Sequence, residues 1–148
     1  MEISTTTITL YPKNATYRIN ERNDNILSFT KNEIYSLQNK NKPARIYAST
    51  STIAHPAISK DKIAWTEEST SSTQKLVIYT QSNGKTASYP VATEAGIIAL
   101  RWQPDGKILI VDNEENLYLY SEGDPNASKL TTKAKLAAAS PDSKKIAI

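Results

Sequence analysis

Arg101 to Asp124 reads RWQPDGKILIVDNEENLYLYSEGD, and its punctuation decides the fold. An apolar approach ending at Trp102 meets Pro104-Asp105-Gly106, a tripeptide whose chemistry makes a turn. Proline presets its own φ, aspartate tolerates tight backbone geometry, and glycine accepts positive φ. Lys107 to Val111 (KILIV) follows as an unbroken β-branched run, the pattern of a strand buried on both faces. Asp112 to Glu115 breaks it, Leu117 to Tyr120 alternates as a third strand, and Glu122 to Asn126 turns the chain toward a weak fourth strand at Ser128 to Thr132. Four short strands joined by turns form an antiparallel meander.

The same order recurs upstream. Ala54 to Ser59 (AHPAIS) leads through Lys60-Asp61-Lys62 into Ile63-Ala64-Trp65. A polar break, TEESTSST, precedes Lys75 to Tyr79 (KLVIY), and Ser82-Asn83-Gly84-Lys85 turns into Thr86 to Val91. Downstream, Leu136 to Ser140 (LAAAS) is followed by Pro141-Asp142-Ser143-Lys144 and by Lys145 to Ile148 (KIAI). A weaker copy spans Asn25 to Ser49, with Ile26 to Phe29, Ile34 to Leu37 and Ala44 to Tyr47 as its later strands.

A four-stranded repeat of roughly 40 to 45 residues is the period of β-propeller blades. Helical repeats of similar length need apolar residues at a 3.6 spacing, and Ser128 to Ser140 is the one stretch that passes that test. Its Leu-x-x-x-Ser-Pro-Asp register repeats the blade pattern, so strands are expected there. The expected fold class is all-β: a β-propeller segment of four-stranded antiparallel meander blades forming an incomplete ring. The approximate divisions are 1–24 (strands of a preceding or first blade), 25–51 (weak blade), 52–92, 93–133 and 134–148 (truncated blade). Ile3 to Tyr11 suits the outer strand of a preceding or closing blade, and Ala15 to Asn20 the inner strand of the weak one.

Three phrases, HPAISKDKIAW (55–65), ALRWQPDGKILIV (99–111) and AAASPDSKKIAI (137–148), resemble the TolB-like β-propeller repeat, with Asn116 to Tyr120 matching its following Asn-Leu-Tyr-Leu-Tyr strand. The resemblance implies a fold far more than a function, because such repeats occur in envelope translocation proteins, in the propeller halves of prolyl-oligopeptidase-like peptidases and in other scaffolds. For a piece of a longer protein, the resemblance leans toward the cell envelope or periplasm. Lys60 replaces the turn proline and no glycine precedes Lys62, while Ser143 replaces glycine in the last copy, so both hairpins are expected to be looser. Closed propellers need at least about four blades. About three and a half are legible, which predicts a piece of a longer protein or an open edge that self-associates or is paired by another chain.

The chain has 148 residues, enough for one domain with a substantial core. Its 18 Lys and Arg against 15 Asp and Glu leave a net charge of +3, with lysines scattered among acids rather than gathered in the basic stripe of a nucleic-acid reader. Zero cysteines exclude disulfides, thiolate zinc sites and a cysteine nucleophile. The opening MEISTTTITLYPKN lacks the basic and apolar regions of a signal peptide, and no stretch reaches transmembrane length. Asn14-Ala15-Thr16 and Asn126-Ala127-Ser128 fit the glycosylation acceptor pattern, which arises often by chance.

In a meander, turns 1-2 and 3-4 share one end of the blades, and turns 2-3 share the other with the links between blades. Sorted by that rule, Glu67, Glu68, Glu94, Asp112, Glu114 and Glu115 fall at the link end, against Lys31, Lys133 and Lys135. The opposite turns mix Lys40, Lys42, Lys60, Lys62, Lys85, Lys107, Lys144 and Lys145 with Asp61, Asp105, Glu122, Asp124 and Asp142. The acidic end reads either as a docking face for a basic protein partner or cation, or as loops that are charged because they are solvated.

No catalytic, cofactor or metal residues are assigned. His55, the one histidine, precedes Pro56 at an inner strand with no Gly-x-Ser-x-Gly elbow in the chain, so a structural or surface role is expected. Asp112 to Glu115 lacks the alternating ligands and glycine of a calcium loop and reads as a solvated turn. Four glycines, none in a phosphate-cradling pattern, argue against nucleotide binding. Tyr35, Tyr47, Tyr79, Tyr89, Tyr118 and Tyr120 read as packing between blades, with a sugar-binding row as the alternative. The sequence therefore points to a non-enzymatic protein-interaction scaffold. A peptidase propeller segment and a carbohydrate-binding propeller stand as alternatives.

Overall fold

The computed structural model describes residues 15–20, 25–37, 43–68, 74–124, 126–135 and 137–148. The expected strand Ile3 to Tyr11, the acceptor Asn14, and Lys40 and Lys42 lie outside the described residues. The elements are β1 (Thr16–Asn20), β2 (Asn25–Phe29), β3 (Glu33–Ser36), β4 (Ala44–Ala48), β5 (Ile53–Ile58), β6 (Lys62–Glu67), β7 (Gln74–Thr80) and β8 (Lys85–Val91). They continue with β9 (Ile97–Trp102), β10 (Ile108–Asp112), β11 (Leu117–Tyr120), β12 (Ser128–Thr131), β13 (Ala138–Ala139) and β14 (Ile146–Ala147).

Each set of four consecutive strands makes its own antiparallel sheet, β1 to β4, β5 to β8 and β9 to β12, and β13 pairs with β14. The first sheet begins at Thr16, so the division drawn at residues 24 and 25 falls inside it. Ser128–Thr131 and Ala138–Ala139 are strands, which settles the helical alternative for that stretch.

The unbroken apolar runs have a specific cause. In β10, Ile108 and Ile110 pack with Ala64, Leu76, Ile78 and Val91 of the preceding sheet, while Leu109 and Val111 pack with Ala134 and Ala137 on the other side. In β6 and β7, Ile63, Trp65 and Val77 pack against Leu27, Phe29 and Ile34, while Ala64, Leu76 and Ile78 face the third sheet. Successive residues of a strand point to opposite faces, so a middle strand placed between two other sheets must be apolar at both parities. A fully buried Leu, Ile or Val is stabilising by about 1.5 to 3 kcal/mol. The four apolar residues of β10 alone therefore weigh on the scale of a domain's net stability, about 5 to 15 kcal/mol.

The 1-2 hairpins of the last three sheets differ in length in an unexpected order. Gln103 N–H to Lys107 C=O (2.8 Å) closes a three-residue loop in which Gly106 takes φ 86°. In the last sheet the closure widens by one residue, from Ser140 N–H to Lys145 C=O (2.8 Å), and Ser143 is forced to φ 56°. The second sheet, also expected to be looser, is the tightest. Ser59 N–H reaches Lys62 C=O (2.8 Å) across Lys60 and Asp61 alone, because losing the glycine shortens the loop and removes the need for a positive φ.

The alternation of ends holds. Asp61 accepts from Ser82 N–H (2.9 Å) and Ser82 Oγ–H (2.7 Å), joining the 1-2 and 3-4 turns of one sheet. At the other end the links meet the 2-3 loops: Asn113 N–H donates to Gly96 C=O (2.8 Å) and Ile53 N–H to Lys31 C=O (2.7 Å).

Candidate functional site

The link end holds most of the acids singled out in the sequence, and the structure divides them. Glu67 and Asp112 are corrections: neither lies in a loop, and neither is offered to solvent. Each is the last residue of a second strand, β6 or β10, and they are 3% and 0% exposed. The reason is register. Glu67 stands to Lys62 as Asp112 stands to Lys107, at the parity that faces the preceding sheet.

Glu67 works across sheets. Its Oε1 accepts from the Tyr47 hydroxyl of β4 (2.7 Å) and lies 3.5 Å from Trp65 Nε1, and its Oε2 receives Lys75 Nζ (3.2 Å). The Tyr47 ring packs 4.7 Å from Trp65, tilted by 58°. Burial raises the Glu67 carboxyl, but hydrogen bonds from Tyr47, Ser49 and Lys75 outweigh it and hold the group below its ordinary range. Burial and the bond to Glu67 push Tyr47 up to about 12.

Asp112 works within its own hairpin. Oδ1 accepts from Asn116 N–H (2.8 Å) and Glu114 N–H (3.0 Å); Oδ2 accepts from Asn116 Nδ2 (2.9 Å) and the Tyr118 hydroxyl (3.1 Å). The loop it organises is the geometric twin of the Pro-Asp-Gly turn. Asp112 N–H bonds Asn116 C=O (3.1 Å) across three residues, and Glu115 takes φ 63° where the other turn has glycine. Burial raises the Asp112 carboxyl, and these donors more than reverse it. Tyr118 also accepts from Glu94 N–H (3.1 Å), tying the link between sheets to the same hub.

The remaining acids are at the surface. Glu94 sits 3.5 Å from Asn116 Nδ2 and pairs with Lys129 (2.6 Å), and Glu115 pairs with Lys135 (3.8 Å). Glu68 and Glu114 are exposed, and Glu68 N–H bonds Thr52 C=O (3.1 Å). Glu94, Glu114 and Glu115 thus surround one hairpin, and Glu68 stands at the neighbouring one. The opposite end carries mixed charge, with Lys62 paired to Glu122 across sheets and Tyr89 also donating to Glu122 (3.4 Å).

Tyr118 and Tyr120 are buried in the core, and burial pushes Tyr120 up to about 12. Tyr89 packs against the same core, its ring 6.2 Å from Tyr120. These rings are packing, which removes them from any sugar-binding row. Trp65 is fully buried, whereas Trp102 is half-buried and donates its indole N–H to Ala57 C=O (3.2 Å), joining inner strands β9 and β5.

Sequence reasoning missed the geometry of His55. The β5–β6 register passes from Ala54↔Thr66 to Ala57↔Ala64, so His55 and Pro56 together oppose Trp65 in a β-bulge. His55 takes φ 52°, a left-handed conformation that the following proline disfavours further. Such outliers cost on the order of 1 to 3 kcal/mol and concentrate at functional sites. It lines a cleft of about 290 Å³ with Phe29, Thr30, Lys31, Ile53, Ala54 and Pro56. A lone His-Pro pair was the available signal, and it does not reveal a bulge.

No protein-family model and no curated protein matches the chain. Among solved structures it is similar to YCF48 bound to D1 peptide, with 14% identity and a TM-score of 0.63 over 92% of this chain and 48% of that one. It is also similar to the WD40 beta propeller domain of Doa1, with 11% identity and a TM-score of 0.59 over 88% of this chain and 46% of that one. The chain spans about half the length of these structures. The fold is an incomplete β-propeller. Its described residues form three four-stranded blades and a two-stranded sheet.

Proposed function

We propose that the chain is a non-enzymatic protein-interaction scaffold of the TolB-like kind that docks a basic partner segment on the acidic rim at its link end. The observation that carries this reading is the grouping of Glu94, Glu114 and Glu115 around the hairpin that Asp112 organises, with Glu68 after β6 at the same end of the preceding sheet. A buried carboxylate fixes the loop, so the exposed ones are presented on a rigid support, which lowers the ordering cost of binding. Clustered carboxylates also steer a cationic partner. A fold neighbour, YCF48, is seen with a peptide bound, which agrees with peptide recognition on this scaffold.

The test is a displayed library of Lys- and Arg-rich peptides screened against the wild-type chain and a Glu68→Lys, Glu94→Lys, Glu114→Lys, Glu115→Lys variant. Enrichment that falls with salt and is lost in the variant supports the reading. Equal enrichment on both proteins, or none on either, contradicts it.

A further inference from the structure

We propose that the cleft between the first and second blades is a peptide-binding recess that takes an apolar side chain beside a carboxylate, the apolar group between Phe29 and Pro56 and the carboxylate between Lys31 and His55. This site takes the opposite charge from the acidic rim, shares only the flanking Glu68 with it, and does not rest on the reading of that rim.

Three observations converge on it. The cleft, about 290 Å³, has room for one large side chain and a neighbouring polar group. Its walls are of two kinds: Phe29, Ile53, Ala54 and Pro56 are apolar, and Lys31 and His55 bring nitrogen donors. The bulge at His55 and Pro56 turns this segment out of the β5–β6 ladder, at a positive φ that pairing does not require.

Lys31 is exposed in the β2–β3 loop, and its backbone carbonyl is fixed by Ile53 N–H (2.7 Å), so the lysine is anchored against β5. The Thr30 hydroxyl is committed to the same loop, donating to Glu33 C=O (3.2 Å) and accepting from Glu33 N–H (3.0 Å). Burial lowers the imidazole's proton affinity, with Glu68 opposing, so His55 enters the cleft neutral at pH 7, with one N–H to donate and one nitrogen to accept. A carboxylate bridging an ammonium and an imidazole N–H makes charge-assisted hydrogen bonds, and the apolar wall rewards an adjacent Leu-sized group. Glu68, which acts on His55 through its charge, works against an anion here.

That opposition separates this site from the rim. His55 is the only histidine, so its ring resonances report on the cleft alone. The isotope-labelled chain is titrated with acetyl-Gly-Leu-Asp-Gly-amide and with its Asn and Lys analogues in place of Asp. The Asp peptide is expected to shift the His55 ring signals saturably. Lys31→Glu, at an exposed loop position, should weaken binding by about tenfold or more, and Glu68→Gln should tighten it. Reversal of Glu94, Glu114 and Glu115 should leave it unchanged. Equal binding of the Asn or Lys peptide, binding that leaves His55 unshifted, insensitivity to Lys31→Glu, or no binding at all overturns the proposal.

Discussion

Glu67 and Asp112 occupy the same position on successive blades and do different work. Glu67 reaches out of its sheet to Tyr47 and receives Lys75, whereas Asp112 turns back onto its own hairpin through Glu114, Asn116 and Tyr118. Loop length explains the difference. β11 begins at Leu117, with only four residues between it and the end of β10, and the N–H groups of Glu114 and Asn116 in that connection point back at Asp112. β7 begins only at Gln74, so Glu67 has no short hairpin to organise and takes the neighbouring blade's tyrosine instead. One inward-facing acid thus serves as a loop clamp or as a bolt between blades, depending on how many residues follow it.

The largest effect expected from breaking this pair is at Asp112. Asp112→Ala removes four acceptor contacts inside the protein and leaves buried donors unpaired, a loss of about 3 to 5 kcal/mol read by chemical denaturation. A loss under about 1 kcal/mol would mean that water replaces the carboxylate. Glu67→Ala should cost less, about 2 to 3 kcal/mol, because Lys75 is half-exposed and recovers its hydration.

The tryptophans extend the contrast between buried and half-buried positions. Trp65→Ala should cost about 3 to 5 kcal/mol and Trp102→Ala about 2 to 3, read as thermal midpoints of the two variants. Equal losses would show that Trp102 is held as tightly as Trp65.

Both carboxyls sit below their ordinary range, so their folded pKa values are depressed relative to the unfolded chain. Their contribution is present above the unfolded value, about 3.9 to 4.3, and is lost as pH falls through the lower folded values. A Glu67→Gln, Asp112→Asn protein should therefore be less stable at pH 7 and show a flatter acid limb than wild type. Tyr47 has the opposite sign. Raised to about 12, it contributes fully below about 10 and loses that contribution as pH climbs between the two values, a loss that Tyr47→Phe removes from the alkaline limb.

The smallest effect, and the one of opposite direction, is at the bulge. His55→Gly relieves a positive φ and should raise stability by up to about 1 kcal/mol. A drop instead would mean that the imidazole's contacts outweigh its backbone strain.

The blade order was legible in the sequence because turn chemistry is local: Pro-Asp-Gly, Asn-Gly and the acidic breaks each announce a change of direction. The unbroken KILIV run correctly indicated a strand buried on both faces. What stayed hidden depends on partners distant in sequence. Asp112 and Glu67 read as loop residues because they stand at the head of polar runs, Asp112 first in its run and Glu67 second after Thr66, and only their shared offset from Lys107 and Lys62, together with a tyrosine across the interface, shows that they point inward. The Lys60-Asp61 turn misled for a related reason: a missing glycine reads as a defect, yet the shorter loop no longer needs it. The His55 bulge and its cleft arise from register, which the composition of β5 does not carry.

The most direct measurement of whether these acids hold the blades together is a double-mutant cycle on Tyr47→Phe and Glu67→Gln, with stability measured by denaturation at pH 7. A bolt between blades predicts a favourable coupling of about 1 to 2 kcal/mol. Additive losses, with coupling below about 0.3 kcal/mol, would contradict it and return Glu67 to the rim as a surface charge.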